Sequence, residues 1–276
     1  MMIDFHAHAF PDALAERAMP MLEQEGNVKA VLDGKVSSLL RSMDEAGIHA
    51  SVVASIATRP HQFDSILKWS AEIASDRIIP FPSVHPGDPE AVAHLRLIHA
   101  QGFKGVKLHP YYQEFDLDEE RLWPLYATLQ ECGLVLLCHT GFDLAFPRTR
   151  KCDPVRIGRV LEAFPRLKFV ASHLGAWEDW DEVERHLIGR PIFMDVSYAI
   201  DWIGLERARA FIRRHPPEYM LFGTDSPWAG QQETISQVRQ LQLGPERERL
   251  LFGDNAARLL GLDAKDAARQ SPAKAE

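Results

Sequence analysis

The sequence predicts one α/β domain, a (β/α)8 barrel, from three observations. Short apolar runs rich in β-branched residues recur eight times, a helical pattern follows each, and no break in composition divides the 276 residues. Such alternation requires parallel strands with right-handed crossovers, and eight units in succession favour a closed barrel over an open doubly wound sheet. In chain order, the strand at residues 2–5 leads to a helix at 36–46, 51–55 to 64–74, and 78–84 to 89–100. The strand at 105–108 leads to a helix at 119–131, 134–138 to 154–163, 168–172 to 178–187, 192–196 to 205–214, and 220–223 to 232–240. Asp88-Pro89 and Asp153-Pro154 have the order of an N-cap followed by proline at the first helical position, and Gly47, Gly102 and Gly133 mark helix ends. Segment 11–35 is longer than a usual strand-to-helix connection and has a helical stretch of its own, which predicts a flap beside the site. A last helix at 254–260 completes a domain spanning 1–262, and the Ala, Lys, Asp and Ser-rich tail at 263–276 is expected to fray.

Composition narrows the function. Hydrophobic residues make up 46% and charged residues 25%, ordinary values for a globular chain, and apolar stretches such as 134–138 are far too short to span a bilayer. The N-terminal MMIDFHAHAF has no basic region and no cleavage site, so no secretory signal is expected. Cys132, Cys138 and Cys152 are odd in number and lack CxxC spacing, which predicts free thiols in a reducing cytoplasm. A net charge of −8, without a strong basic cluster, argues against nucleic acid. The expected partner is a small-molecule substrate, with a homodimer compatible with everything above.

The chemistry sits at the strand ends. His6 and His8 follow the first strand, His109 the fourth, His139 the fifth, His173 the sixth and Asp225 the eighth. Barrel active sites are built at the C-terminal ends of the strands, where residues distant in sequence converge. In an extended strand residues i and i+2 share a face, so His6 and His8 can aim together into the barrel mouth. A single histidine has plainer uses as a cap or a surface group, and His49, His61, His94, His99, His186 and His215, in helices or connections, are read that way. His85 ends the third strand among turn residues.

The pieces IDFHAHAFP, GFKGVKLHP, CHTG, ASHLGA, FGTDSPW and FGDNAARLLGL, in that order, resemble the amidohydrolase superfamily. The likeness is to the branch that includes aminocarboxymuconate semialdehyde decarboxylase and related barrel hydrolases. The resemblance implies a metal held by His6, His8, His139 and Asp225, with His173 beside the metal-bound water as acid, base or transition-state partner. Three imidazoles and a carboxylate suit one divalent ion, zinc first, with manganese or iron(II) as alternatives, and leave a position for water. Asp225 is then both ligand and proton acceptor. In binuclear relatives a carboxylated lysine ends the fourth strand. Here Lys107 lies one step back and His109 holds the tip, so one metal is expected, with Lys107 and His109 binding a substrate carboxylate or carbonyl oxygen. A buried Lys107 paired with an acidic neighbour is the alternative. Tyr111 and Trp228, with Tyr112, Phe10 and Trp177, are candidates for an apolar wall around the substrate.

The expected reaction is hydrolysis of an amide, ester or lactone bond in a small carboxylated substrate. Decarboxylation of an unsaturated or aromatic acid on the same site is the alternative. A TatD-like nuclease is disfavoured by the negative charge and by GVKLHP, where a glutamate would be expected.

Overall fold

The computed structural model describes residues 1–262, and the expected tail at 263–276 lies outside them. The eight apolar runs form the strands β1 (Ile3–Ala7), β2 (Ala50–Ala54), β3 (Ile78–Phe81), β4 (Gly105–Leu108), β5 (Val135–Cys138), β6 (Lys168–Ala171), β7 (Phe193–Asp195) and β8 (Met220–Leu221). Every pairing is parallel, in the orders β1-β2-β3 and β4-β5-β6-β7-β8. Backbone hydrogen bonds join the edges of the two sheets. Lys107 N donates to Pro82 O at 3.0 Å between the β3 and β4 sides, and Phe5 N donates to Phe222 O at 2.8 Å between the β1 and β8 sides.

Period-two burial sorts the strand residues into two layers. Ile3, Phe5, Val52, Phe81, Leu137 and Leu221 belong to one apolar cluster inside the ring. Val53, Val106, Leu136, Phe169 and Met194 face the other way and pack with residues of the surrounding helices, such as Leu95, Ile157, Val183 and Phe211. Gly105 is required inside, because a Cβ there would lie 2.5 Å from the Phe81 ring.

The helices are α1 (Asp12–Gly26), α2 (Val36–Ala46), α3 (Phe63–Ile73), α4 (Ala91–Ala100), α5 (Trp123–Cys132), α6 (Pro154–Ala163), α7 (Trp180–His186), α8 (Ile200–Ile203), α9 (Leu205–Arg214), α10 (Gln231–Gln240), α11 (Pro245–Arg249) and α12 (Asn255–Leu260). α6 starts as its sequence requires: Asp153 accepts from Val155 N and Arg156 N, with Pro154 at the first helical position. The parallel expectation at Pro89 is corrected. Asp88 instead accepts from Glu90 N at 2.9 Å and pairs with His94 Nδ1 at 2.9 Å, which holds residues 86–90 in turns and delays α4 to Ala91. β3 also stops at Phe81 rather than 84, because the chain turns to the seam, where Ser83 Oγ donates to Lys107 O at 2.7 Å. α5 begins at Trp123 behind a 3-10 turn, later than the expected 119, and α7 at Trp180 rather than 178. A π-helical segment, Leu250–Asp254, precedes α12. Its Gly253 packs against the Met1 carbonyl, so the chain end covers the barrel where the strands begin and the opposite end stays open.

Candidate metal centre

A register shift in β1 decides where its histidines point. Asp4 pairs in register with Ser51, but Ala7 already pairs with Val53, so β1 carries one extra residue. Ile3 and Phe5 belong to the inner cluster and Ala7 to the outer, while His6 and His8 line the cavity at the barrel mouth. Strict alternation from Phe5 would have put His6 on the helix side. That side is Asp4's, which accepts from His6 N, Thr224 N, Thr224 Oγ1 and Gln231 Nε2 at 2.7 to 3.2 Å. Asp4 thereby ties the bulge to the tip of β8, and Asp225 N closes the join by donating to His6 O at 2.7 Å.

Three ligating atoms meet there. Asp225 Oδ1 lies 3.1 Å from His8 Nε2 and 3.4 Å from His6 Nε2. Two donors on a tetrahedral ion with bonds of ~2.0–2.1 Å stand about 3.3 Å apart, so the set fits a zinc-sized cation. The far nitrogens are committed elsewhere: His8 Nδ1 to Ala54 O at 2.8 Å, and His6 Nδ1 to Asp195 Oδ2 at 3.0 Å. Each Nε2 is then left as a lone pair toward the centre. Burial, with the nearby Lys107 charge, holds the His6 imidazole neutral, well below its usual pKa. Burial alone would raise Asp225, but its contacts with the His6 and His8 rings outweigh it and hold the carboxylate well below its usual range.

His139 and His173 form the adjacent edge. His173 Nδ1 donates to Ser197 O at 2.9 Å, and His139 Nε2 donates to Phe142 O at 2.9 Å. Carbonyls only accept, so both of those nitrogens carry a proton, and His173 Nε2 and His139 Nδ1 face each other 3.2 Å apart. His139 is therefore not within the His6, His8 and Asp225 cluster but faces His173. His173 and Asp225 both have positive φ, 59° and 65°, which non-glycine residues hold only when surroundings impose it. For His173 the restraint is its N–H on Asp195 Oδ1 at 3.0 Å.

Lys107, wholly buried, has its Nζ 3.0 Å from His6 Nε2, and burial lowers its pKa. Its nearest polar contact is thus a histidine rather than the acidic neighbour of the alternative reading. His109 stacks on His139 with ring centroids 4.2 Å apart and points Nε2 at Asp143 Oδ2, 3.3 Å away. A cavity of about 970 Å3 opens above these groups, with Phe10, Tyr112, Phe146, Trp177, Tyr198 and Trp228 in its wall. Tyr111 also lines it, with its hydroxyl proton shared between Gly141 O and Thr149 O at 2.9 and 2.5 Å, so the hydroxyl has no proton left to donate into the cavity. Within segment 11–35 lies α1, whose Leu14, Ala18, Met21 and Leu22 line the cavity.

Three of the other histidines make local structural contacts. His49 Nδ1 accepts from Met2 N, His215 bonds Ile192 O, and His85 accepts from Gly87 N within its turn. Sequence reasoning missed Asp195, Asp143, Ser197 and Asp4. Asp195 sits at the end of β7, the one strand whose terminal ligand type was passed over, and that position was the available signal.

The amidohydrolase family model matches residues 3–262. Among solved structures, an uncharacterized TIM-barrel protein from Bordetella bronchiseptica is 23% identical with a TM-score of 0.71, over 94% of this chain and 98% of that one. The 5-carboxyvanillate decarboxylase of Sphingomonas paucimobilis is 13% identical with a TM-score of 0.68, over 95% and 99%. A structure described as a 2-pyrone-4,6-dicarboxylic acid hydrolase from Pseudomonas putida is 18% identical with a TM-score of 0.67, over 94% and 97%. These likenesses give the barrel fold, and the match over almost the entire chain gives the family: the chain belongs to the amidohydrolases, a family of metal-dependent enzymes.

Proposed function

We propose that this protein is a metal-dependent hydrolase that opens an amide, ester or lactone bond in a small carboxylated substrate. The observation that carries the reading is the convergence of His6 Nε2, His8 Nε2 and Asp225 Oδ1 beneath a large cavity, with the far nitrogens of both histidines tied back. One divalent ion, zinc first, would be held by these three atoms, with His139 Nδ1, at the adjacent edge facing His173, as the fourth ligand. When bound, such an ion polarises a carbonyl and lowers the pKa of water. Asp225 accepts the proton of the attacking water, and His173 Nε2 stabilises or returns charge at the reacting carbonyl. Lys107 and His109 hold a carboxylate or carbonyl oxygen of the substrate. Arg59, at the cavity wall with no carboxylate in ion-pair range among the described residues, supports an anionic substrate.

A second reading, decarboxylation of an aromatic acid, is favoured by the flat walls of Tyr112, Phe146, Trp177 and Trp228. Zinc- or manganese-loaded protein assayed on carboxylated esters, lactones, amides and aromatic acids separates the two. Water added with carbon retained supports hydrolysis, and released CO2 supports decarboxylation. Metal analysis of the isolated protein should give close to one ion per chain. A reproducible two ions per chain as isolated, or a carboxylated Lys107 between them, overturns the single-ion reading.

We place the protein in the cytoplasm, acting on a small molecule without nucleic acid, as a monomer or a homodimer. Cys138 and Cys152 standing as thiols with Sγ atoms 3.8 Å apart support a reducing compartment. Among the described residues no helix is long and apolar enough to cross a membrane.

A further inference from the structure

Outside the His6, His8 and Asp225 cluster, the cavity wall carries a second set of converging ligand atoms. His109 Nε2 comes from the loop after β4, and His139 Nε2 and Asp143 Oδ2 from the segment after β5; all three lie within 4.8 Å of one another. Asp143 Oδ2 stands 3.3 Å from His109 Nε2 and 3.6 Å from His139 Nε2. Those separations match the edge of about 3.3 Å expected for donors on a zinc-sized ion. The set is also held in place. The two rings are nearly parallel, at 16°, which keeps their Nε2 atoms side by side, and Asp143 Oδ1 is fixed by Ala145 N at 2.8 Å. Phe142 O, 2.9 Å from His139 Nε2, adds an oxygen on the same side.

We propose that this set is a second, weaker cation site, filled only by excess zinc or a similar imidazole-seeking ion, and that filling it inhibits the enzyme. The weakness follows from His139. In the reading of one resident ion, on which this inference rests, His139 gives Nδ1 to that ion and keeps its Nε2 proton on Phe142 O. The second ion is then held by His109 and Asp143 and engages His139 only by displacing that proton to solvent. Inhibition follows from position, since the second ion takes the His109 nitrogen and fills cavity space beside Tyr112, whose ring lies 4.8 Å from that of His109. A mixed imidazole and carboxylate set selects zinc, cobalt or nickel over magnesium and calcium, which prefer oxygen ligands.

The test is equilibrium dialysis of the one-ion holoenzyme against rising zinc chloride, with Asp143→Asn and His109→Gln in parallel and magnesium as control. Wild type should take up a second zinc ion per chain. Both variants should retain the first ion and bind the second at least about tenfold more weakly. Magnesium should not compete. Second-ion uptake that is absent in wild type, or unchanged in both variants, overturns the proposal. Loss of the first ion from Asp143→Asn also overturns it, because Asp143 would then serve the resident site. Failure to find a substrate leaves these measurements intact, so an error about the reaction is distinguishable from an error about the second site.

Discussion

Replacing Asp195 with asparagine tests how far metal binding depends on a residue that touches no metal. Asp195 is fully buried, and its two oxygens take different partners. Oδ2 accepts from His6 Nδ1 at 3.0 Å, and Oδ1 accepts from His173 N and Ser197 N, both at 3.0 Å, and from Ser197 Oγ at 2.5 Å. Asparagine keeps the shape but supplies one acceptor and one donor. If its NH2 faces Ser197 and His173, two backbone N–H groups meet a donor. If it faces His6, only that ring must adjust, by moving its proton from Nδ1 to Nε2. The second arrangement leaves fewer clashes, and it blocks the lone pair offered to the ion. The expected result is a 10–100-fold loss of metal affinity, the usual cost of removing a ligand's supporting partner, equivalent to about 1.4–2.8 kcal/mol. Metal-free stability should fall by a comparable amount, about 1–3 kcal/mol, the cost of one buried group losing its partner. Chelator competition measures the first quantity and urea unfolding of the metal-free protein the second. Affinity within about twofold of wild type, together with a clear stability loss, would show that Asp195 only braces the backbone at His173 and Ser197.

Other outcomes follow from the same geometry. His173→Asn should retain the ion and lower turnover by roughly 10²–10⁴-fold, whereas loss of the ion as readily as in His6→Ala would make His173 a ligand. Burial holds His6, His139 and His109 neutral below their ordinary 6.5, so the unfolded chain binds more protons as pH falls through that value. Stability of the metal-free protein should therefore rise with pH between about 5.5 and 7.5, and a flat or inverted slope in urea unfolding would refute the burial argument. Asp225 and Asp143, held low in the folded chain, add a loss of the same sign only nearer 3.8. Gly105→Ala forces a methyl to 2.5 Å from the Phe81 ring and should cost roughly 1–3 kcal/mol, readable as a lowered melting temperature, and wild-type stability would show that the barrel interior has slack.

The fold was legible because parallel strands buried on both faces must read as continuous apolar runs, and each run here is separated from the next by a helix. Helix starts were less legible. The same Asp-Pro pair caps α6 at Asp153 but forms a turn at Asp88, and only the tertiary partner His94 distinguishes them. At the site, the strand-end position marked His6, His8 and Asp225. It could not show that His6 reaches the mouth only through an extra residue in β1, since a bulge leaves no period of its own in five residues.

The residues that sequence reasoning missed share a physical cause. A ligand advertises itself by its residue type at a strand end, whereas a supporting residue is defined by what stands behind it across the barrel. Asp195 is 189 positions from His6, and Asp4 is 220 positions from Thr224, so neither relation exists until the ring closes. Tyr111 shows the converse. Its place after the fourth strand suggests a substrate contact, but the hydroxyl is spent on Gly141 and Thr149 carbonyls, where it pins the loop that carries Asp143. Loop position alone therefore identifies which rings can reach the cavity, while hydrogen-bond accounting decides which polar atoms remain free to act there. By that accounting His8 presents Nε2 to the centre, His6 presents an Nε2 that Lys107 also reaches, and His139 and His173 turn one nitrogen each toward the other. Lys107 Nζ, 3.0 Å from His6 Nε2, is the cation that already stands beside the ionised Asp225, so a metal entering the centre has to displace that contact.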